Sequence, residues 1–390
     1  MTVTSFNFSF TAAATTQRFQ PRVNSDPPPA RVLVIGAGPA GLATAACLKQ
    51  AGVRFDLIDR SGRPTGAYGR LHGGITLSSP ARFTQLPGLP LQNSDAYITV
   101  AEYRAYLERY AAHFGLRPQQ QSVEGLERRG TQIIARFAGA SDPRIYDAVV
   151  AATGMCDHPV SPRIAGLTDN SVAASLRPRV IHSRDWPGPA ELDGQRILIV
   201  GGASSAIAIA EQCAEAGVAT VVSTRRQQMR FSLTRVLGFD LRRWVYPLTR
   251  RLPRWLFGKR CSVHPAFVGT ERGFREHQRA GLITVRGSVA HFLGRQATFA
   301  DGLVDRFDLV VLATGYRFDM PFLPKDVARA PAGQPLADQG RSRSWPGLYF
   351  VGVPCGSTVG SEFLHGIAAD APLVAGRIRR QLIRKSPISD

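Results

Sequence analysis

The chain of 390 residues contains no apolar run long enough to cross a bilayer. A membrane-spanning helix needs about 18 to 20 consecutive apolar residues, and Gly, Arg or Asp interrupts every longer apolar stretch of this sequence. Any membrane contact is therefore expected to be weak and peripheral. We expect a cytoplasmic protein.

The first thirty residues lack the continuous apolar core of a secretion signal. They are rich in Ser, Thr and Phe, and Arg18 and Arg22 are their only basic residues. We interpret residues 1–30 as a flexible N-terminal extension, with a transit peptide as the alternative.

Cysteine is scarce, and the five cysteines are widely separated. The sequence has no Cys-x-x-Cys pair and no Cys/His cluster at the spacing of metal ligands. These absences argue against a disulfide framework, a redox-active dithiol and a zinc, haem or iron–sulfur site. We predict no metal site.

Lysine and acidic residues are also few. Only four of the 48 basic residues are lysines, and 29 acids leave a formal net charge of +19. Such an arginine excess is typical of GC-rich genomes, but it also suits anionic cofactors, an acidic substrate, or a membrane or nucleic-acid surface. Charge alone does not distinguish these partners, although we expect no nucleic-acid partner.

Two segments have the pattern of a strand, a glycine turn, a helix and a second strand. The first, RVLVIGAGPAGL, begins at Arg31, and the second, QRILIVGGASSA, begins at Gln195. Each is followed by an apolar strand that runs into Ala-Thr-Gly, ending at Gly154 and at Gly315. This repetition predicts an α/β protein with two Rossmann-like dinucleotide-binding domains.

The glycine turn of the first unit is predicted to hold a pyrophosphate. Glycine allows a tight turn and a close backbone approach, and the helix that follows offers free N–H groups to an anion. An acid at the end of the second strand can accept hydrogen bonds from ribose hydroxyls. The predicted cofactor-binding residues here are Gly36, Gly38, Pro39, Ala40, Gly41, Asp59 and Arg60.

The second unit is predicted to bind NADPH. Arg225 and Arg226 occupy the place where a site for NADH tends to carry an acid, and a guanidinium there can pair with the 2′-phosphate of NADPH. Ala203 stands where the middle glycine is expected, and its methyl group narrows the approach of the pyrophosphate. The other predicted contacts are Gly201, Gly202, Ser204, Ser205, Thr314 and Gly315.

Several motifs resemble the flavin-containing monooxygenase-like family, the class B flavoprotein monooxygenases, over roughly residues 31–380. After Asp59 and five intervening residues comes Thr65-Gly66-Ala67-Tyr68, similar to the family's Gly-Gly-x-Trp. The segment LRPRVIHSRDWP is similar to its linker fingerprint, with His182 as a candidate hinge or NADP-loop residue. The resemblance implies FAD contacts at Gly66, Tyr68, Gly154 and Gly352.

The resemblance also implies that the NADPH domain is inserted in the FAD domain. We predict an FAD-binding domain over residues 31–170, an NADPH-binding domain over 171–317 and a return to the FAD domain over 318–390. A segment rich in arginine and aromatic residues, 225–280, is interpreted as an insertion or lid beside the second nucleotide site.

The family resemblance implies a monooxygenase. NADPH would reduce FAD, and the reduced flavin would react with O2 to give a C4a-(hydro)peroxyflavin that oxygenates a small organic substrate. No side chain is expected to act as an indispensable acid, base or nucleophile, so the catalytic residues are left unassigned. The substrate and the oligomeric state are also left open.

We predict nitrogen or sulfur oxygenation. The alternatives are a Baeyer–Villiger or indole-pyruvate-type decarboxylating monooxygenase, and an NAD(P)H-dependent flavin oxidoreductase that does not insert oxygen. A basic surface-binding protein that uses its nucleotide domains only as a scaffold is a fourth alternative, motivated by the arginine-rich segment and the tail RIRRQLIRK.

Overall fold

The computed structural model describes residues 32–385, except residues 94, 169–172, 193, 226–228, 230–234, 237–238, 241–272, 332, 355 and 359. The predicted N-terminal extension, Arg226 and most of the arginine-rich segment therefore lie outside the described residues. The helices of the described part are α1 Pro39–Gln50, α2 Val100–His113, α3 Ser204–Glu215, α4 Phe274–Arg279 and α5 Leu364–Lys385.

The strands are numbered in chain order. They are β1 Val32–Ile35, β2 Phe55–Asp59, β3 Gln119–Gln120, β4 Val123–Arg129, β5 Gln132–Phe137, β6 Arg144–Tyr146, β7 Ala148–Ala151, β8 His158–Pro159, β9 Arg179–His182, β10 Ile197–Val200, β11 Thr220–Ser223, β12 Arg235–Val236, β13 Phe239–Asp240, β14 Ile283–Arg286, β15 Val289–Leu293, β16 Gln296–Phe299, β17 Val304–Arg306, β18 Leu309–Leu312, β19 Tyr316–Arg317, β20 Ala337–Asp338, β21 Arg341–Ser342 and β22 Leu348–Phe350.

The first sheet has the order β20-β21-β22-β7-β1-β2-β3, with β22, β7, β1, β2 and β3 parallel. Alternate residues of β1 face opposite sides of this sheet. Val32 and Val34 pack against α1, α2 and α5, whereas Leu33 and Ile35 pack on the side that carries the antiparallel sheet β4-β5-β6. Both faces are covered, which explains why the central strands are apolar throughout.

The second sheet has the order β14-β11-β10-β18-β9 and is wholly parallel. Ile197 and Ile199 of β10 pack against α3 and α4, whereas Leu198 packs on the side of the antiparallel strands β15, β16 and β17. The βαβ unit β10-α3-β11 positions the second glycine turn at the carboxyl edge of this sheet.

The chain leaves the first domain after β7 and returns to it from Met320 onward, where Met320, Phe322 and Leu323 pack in the core of that domain. Strand β22 pairs with β7 in parallel, with Tyr349 opposite Val150, and so completes the first sheet after the second domain has been built. Strands β8 and β19, which lie on the outgoing and the returning crossover, pair with each other in antiparallel fashion. The predicted fold class, with one Rossmann-like domain inserted in the other, is confirmed.

Three features differ from the expectations. The antiparallel sheets β4-β5-β6 and β15-β16-β17 were not predicted. Leu167 packs in the core of the second domain although it precedes the predicted boundary at residue 170. Phe274, inside the predicted insertion 225–280, is fully buried in the core between α3 and β14, so the end of that segment belongs to the domain itself.

Among the described residues, no helix combines the length and the hydropathy that a bilayer span requires.

Candidate functional site

The first glycine turn connects β1 to α1 at the carboxyl edge of the first sheet. Gly36 adopts φ +100°, and a Cβ there would lie 2.7 Å from the carbonyl oxygen of Ala152. A Cβ on Gly41 would overlap the carbonyl of Gly36. Positions 36 and 41 therefore exclude a side chain, and the turn leads into the first turn of α1, whose N–H groups have no partner within the helix and can bind an anion.

Asp59 lies beside this turn at the end of β2. One carboxylate oxygen accepts a hydrogen bond from the Ala37 N–H at 2.9 Å, and the other accepts from the N–H and the hydroxyl of Ser61 at 2.8 and 2.6 Å. The carboxylate thus joins the turn to the end of β2. This is the position from which an acid can reach a ribose.

A 3₁₀ helix, Gly66–Gly69, packs on the glycine turn. Gly66 adopts φ +54°, and a Cβ there would lie 2.7 Å from Cα of Gly38. Tyr68 is partly buried with its ring edge-on to Tyr103 at 4.9 Å, and burial followed by the neighbouring Cys156 raises the pKa of Tyr68 well above its ordinary value. The structure therefore brings Gly66 against Gly38 and packs the Tyr68 ring against Tyr103 of α2.

The return segment reaches the same turn from the other side. Gly352, at φ +76°, lies where a Cβ would be 3.0 Å from that of Ala40. Gly154 follows β7 at φ +73°, and a Cβ on it would meet nothing within 4 Å among the described residues. Gly352 thus contacts the start of α1, and Gly154 faces open space at the edge where the turn lies.

The second glycine turn repeats this geometry with more exposure. Gly201 adopts φ +141°, and a Cβ on it would overlap the carbonyl of Ala313. Ala203 is the N-cap of α3 with φ −114°, which any residue can adopt, and Ala203, Ser204 and Ser205 are exposed. Ala203 therefore stands exposed at the start of α3 in place of the expected glycine, and its backbone is unstrained.

Arg225 is exposed and follows β11 by two residues. Thr224, between them, lies against Gly202, whose Cβ would be 3.2 Å from the Thr224 hydroxyl oxygen. Arg225 therefore stands beside the second glycine turn, at the end of the strand where a 2′-phosphate is recognised in Rossmann-like domains. Arg226 lies outside the described residues.

His182 ends the edge strand β9 and is buried. Its Nε2 lies 3.2 Å from the carbonyl oxygen of Gly315, and its Nδ1 accepts the Arg184 N–H at 3.1 Å, so the neutral ring carries its proton on Nε2. Burial lowers the pKa of His182 below its ordinary value. This residue holds the interdomain linker against the chain that follows β18.

Thr314 and Gly315 lie at the start of the returning crossover. The Thr314 hydroxyl donates to the carbonyl of Val160, and the Val160 N–H donates to the carbonyl of Gly315 at 2.9 Å. A Cβ on Gly315 would meet nothing within 4 Å among the described residues. Thr314 is thus used to join the two crossovers, and the Gly315 carbonyl accepts from Val160 on the outgoing crossover and from His182 at the end of β9.

Sequence reasoning missed the residues beside these crossovers. Asp157 accepts hydrogen bonds from Arg60 and Arg70, the latter at 2.8 Å. Burial, and then the Asp157 charge, raise the pKa of Cys156 to about 11, so its thiol stays protonated at neutral pH. No motif identified in the sequence includes Asp157, so nothing in the sequence pointed to this acid. Arg60, predicted to contact the cofactor, lies in this ion pair.

Two buried carboxyl groups near the start of α5 were also missed. Burial raises the pKa of Glu362 to about 7, and burial raises that of Asp370 to about 6 against the opposing hydroxyls of Ser361 and Ser357. One oxygen of each carboxyl group is buried without a hydrogen-bond partner among the described residues. Both acids occur in the return segment, which the family resemblance alone had assigned to the FAD domain.

The residues around the first turn fit a dinucleotide better than an empty scaffold. Glycines stand at the positions where a Cβ would meet the neighbouring backbone, an acid stands at the ribose position, and one buried carboxyl oxygen each of Glu362 and Asp370 has no hydrogen-bond partner among the described residues. The second turn offers exposed N–H groups, two serines and one arginine to an anion. The first turn thus offers an acceptor for a ribose and the second offers donors for an anion, which suits two different dinucleotides.

Comparison with known families agrees with this geometry. The family described as "Pyridine nucleotide-disulphide oxidoreductase" matches residues 33–252, more than half of the chain. The family described as "Flavin-binding monooxygenase-like" matches residues 274–334. The chain belongs to the family described as pyridine nucleotide-disulphide oxidoreductase, and the two matches together support a flavin-containing monooxygenase.

Individual relatives of this flavin-containing monooxygenase cover almost its full length. "Probable indole-3-pyruvate monooxygenase YUCCA8" of Arabidopsis thaliana is 28% identical, over 91% of this chain and 90% of that protein. A flavin-containing monooxygenase from Stenotrophomonas maltophilia aligns with a TM-score of 0.70 at 23% identity, over 90% of this chain and 98% of that one. OTEMO in complex with FAD and NADP aligns with a TM-score of 0.65 at 15% identity, over 92% and 86%.

The predictions of the family, of a flavin-dependent monooxygenase as the enzyme class, and of FAD and NADPH as the cofactor pair are confirmed at the level of the family. The individual contact residues remain predictions. The family name of the first match includes disulphide reduction, but the sequence contains no Cys-x-x-Cys pair that could act as a dithiol.

Proposed function

We propose that this flavin-containing monooxygenase uses FAD, NADPH and O2 to place one oxygen atom on the nitrogen or sulfur of a small organic substrate. In the balanced reaction NADPH, a proton, O2 and the substrate give NADP⁺, water and the oxygenated substrate. The observation that carries the proposal is the pairing of two dinucleotide turns in one chain, with Asp59 at the first and Arg225 at the second.

In this proposal the first turn holds FAD. Gly36, Gly38 and Gly41 let the backbone approach the pyrophosphate, Asp59 accepts from the ribose, and Gly66 and Gly352 close the turn from two sides. The remaining contacts in the FAD domain are Pro39, Ala40, Arg60, Tyr68 and Gly154.

The second turn holds NADPH. Gly201 and Gly202 shape the turn, Ser204 and Ser205 offer donors at the start of α3, and Arg225, with Arg226 beside it in sequence, receives the 2′-phosphate. The proposed division is an FAD-binding domain of 31–170 and 318–390 and an NADPH-binding domain of 171–317, with Leu167 packing across this boundary. Bound flavin supplies the redox chemistry, and the protein orients the nicotinamide and excludes water.

A second candidate is oxygenation of a 2-oxo acid with loss of its carboxyl group. It is favoured by the similarity to the relative named as a probable indole-3-pyruvate monooxygenase, which extends over 91% of the chain. The surplus of arginine suits an anionic substrate of this kind. A Baeyer–Villiger reaction has less support because no motif beyond the linker suggests it.

The test begins with the absorbance of the purified protein, which should show bound flavin. NADPH should bleach the flavin without oxygen, and admission of O2 should reoxidise it through a spectroscopically distinct intermediate that a substrate removes. A tertiary amine, a thioether and indole-3-pyruvate are compared as substrates by mass spectrometry of products formed under ¹⁸O2. Reoxidation in one step, with hydrogen peroxide as the only product for every substrate, would leave a flavin oxidoreductase in place of a monooxygenase.

A further inference from the structure

A charged cluster connects the outgoing crossover to the FAD domain. Asp157 immediately precedes β8 on that crossover, and its carboxylate accepts hydrogen bonds from Arg60 and from Arg70 at 2.8 Å. Arg60 follows Asp59 at the end of β2, and Arg70 follows the 3₁₀ helix that packs on Gly38. One carboxylate thus joins the two loops that surround the first glycine turn to the chain that leaves the domain.

The same residue reaches the interdomain linker through its backbone. Nη1 of Arg184 donates to the carbonyl oxygen of Asp157 at 3.3 Å. The Arg184 N–H donates to His182, whose other ring nitrogen donates to the carbonyl of Gly315 on the returning crossover. A continuous chain of polar contacts therefore runs from the FAD domain across both crossovers.

The charge of Asp157 is maintained in this cluster. Burial by itself would raise the pKa of Asp157, but the hydrogen bonds and charges of Arg70 and Arg60 outweigh it and hold the pKa below its ordinary value. The side chain of Asp157 is 25% exposed, whereas those of Arg60 and Arg70 are 54% and 44% exposed. An isolated pair at such exposure stabilises little, so the value of the cluster lies in the three segments that it aligns.

We propose that Asp157 is a positioning residue that fixes the orientation of the NADPH domain relative to the FAD domain, and thereby aligns nicotinamide with flavin for hydride transfer. The inference rests on the proposed function, because it assumes that hydride passes between the two sites. Hydride transfer is sensitive to distance, and a misplacement of about 1 Å can cost about 100-fold in rate. Small changes at this crossover are therefore expected to change the rate more than the affinity for either cofactor.

The experiment compares Asp157→Asn with wild type as the FAD-loaded holoenzyme. The amide keeps the shape of the side chain but removes the charge that holds the two arginines. We expect FAD content and the Kd of NADP⁺ to stay within about twofold, while the anaerobic rate of flavin reduction at saturating NADPH falls at least about tenfold. A residue that only stabilised the fold would not separate the rate from the binding constants in this way.

Asp305→Asn provides a matched control. Asp305 pairs with Arg196 at 2.7 Å and is 19% exposed, but both residues lie within the NADPH domain. This variant should reduce its flavin at the wild-type rate. An equal loss of rate in both variants, or an unchanged rate in Asp157→Asn, would overturn the positioning role.

A second readout does not depend on activity. The Val160 N–H, bonded to the carbonyl of Gly315 at 2.9 Å, reports on the pairing of the two crossovers. Its hydrogen exchange should be faster in Asp157→Asn than in wild type and unchanged in Asp305→Asn. If wild type is not reduced by NADPH the proposed function fails, whereas unchanged exchange in Asp157→Asn removes the inference by itself.

Discussion

At the scale of single residues, burial of Glu362 makes the stability of the native state depend on pH. Burial raises the pKa of Glu362 from 4.5 to about 7, so between these values the unfolded chain releases a proton that the native chain retains. The native state therefore loses stability as the pH rises through this interval and loses none below it.

Glu362→Gln should remove this penalty. We expect the variant and wild type to unfold at similar temperatures at pH 4, and the variant to unfold about 2 to 6 °C higher at pH 8. Thermal unfolding of the holoenzyme across this pH range measures the difference. Parallel curves for the two proteins would show that Glu362 titrates at its ordinary pKa.

Gly66 is a second residue whose role follows from its surroundings. With φ +54° and only 2.7 Å between a Cβ and Cα of Gly38, Gly66→Ala should displace the 3₁₀ helix from the glycine turn. We expect FAD affinity to fall at least about tenfold, since the clash adds to a backbone strain of about 1 kcal/mol. Equilibrium dialysis against FAD gives the affinity.

Gly52→Ala is the control for this substitution. Gly52 has a similar φ of +70°, at the end of α1, but a Cβ there would meet nothing within 4 Å among the described residues. It should suffer the same strain and keep its FAD affinity within about twofold. Equal losses in the two variants would mean that strain alone, and not contact with Gly38, controls the affinity.

At the scale of elements, α2 is built to support the loop that lies over the first turn. The helix begins with a capping box, in which Thr99 Oγ1 accepts the Glu102 N–H at 3.2 Å and Glu102 accepts the Thr99 N–H at 2.7 Å. The buried face of the helix includes Tyr103, Tyr106 and Tyr110. Arg104 donates a hydrogen bond to the carbonyl of Leu71 at 2.9 Å. The capping box therefore determines where α2 begins, and so determines where Arg104 meets the loop at Leu71.

Thr99→Ala should weaken this element by removing the hydroxyl that accepts the Glu102 N–H and donates to the Glu102 carboxylate, while the backbone N–H of residue 99 can still donate to Glu102. Loss of such a cap costs about 1 kcal/mol, which corresponds to about 2 to 4 °C in Tm for a domain of this size. Thr99→Ser keeps the hydroxyl and should retain the wild-type Tm within about 1 °C. If alanine and serine lower the Tm equally, the methyl group and not the cap is what matters.

At the scale of the whole molecule, the net charge of +19 acts on both dinucleotides before any contact forms. NADPH carries about two more negative charges than NADH, so its attraction to the chain should be screened more strongly by salt. Raising NaCl from about 20 to about 200 mM should therefore raise KM for NADPH several-fold more than KM for NADH.

Arg225→Ala should reduce this difference, because Arg225 stands exposed beside the second turn. We expect KM for NADPH at low salt to rise about tenfold and KM for NADH by less than about twofold. Steady-state kinetics with both nucleotides at both salt concentrations provide the comparison. Equal increases would place the 2′-phosphate away from Arg225.

Whole-molecule topology was predictable to the extent that it depends on local patterns. The two strand, turn and helix units appear where the glycines and the apolar runs predicted them, because a turn that excludes Cβ atoms is specified by the few residues that form it. The antiparallel sheets β4-β5-β6 and β15-β16-β17 were missed, since their short half-exposed strands lack a strong alternation. The burial of Phe274 was missed because basic neighbours dominated its segment.

The sequence by itself determined that the chain builds two dinucleotide turns, because glycines at this spacing specify the turn through the few residues that form it. Only the tertiary structure decided which charged residues meet. Asp157 bonds Arg60 and Arg70 across 97 and 87 residues of chain, and no spacing rule connects positions so far apart. These residues meet because the chain leaves the first sheet after β7 and later returns to it, so that the two crossovers pair at β8 and β19 beside the loops that carry Arg60 and Arg70.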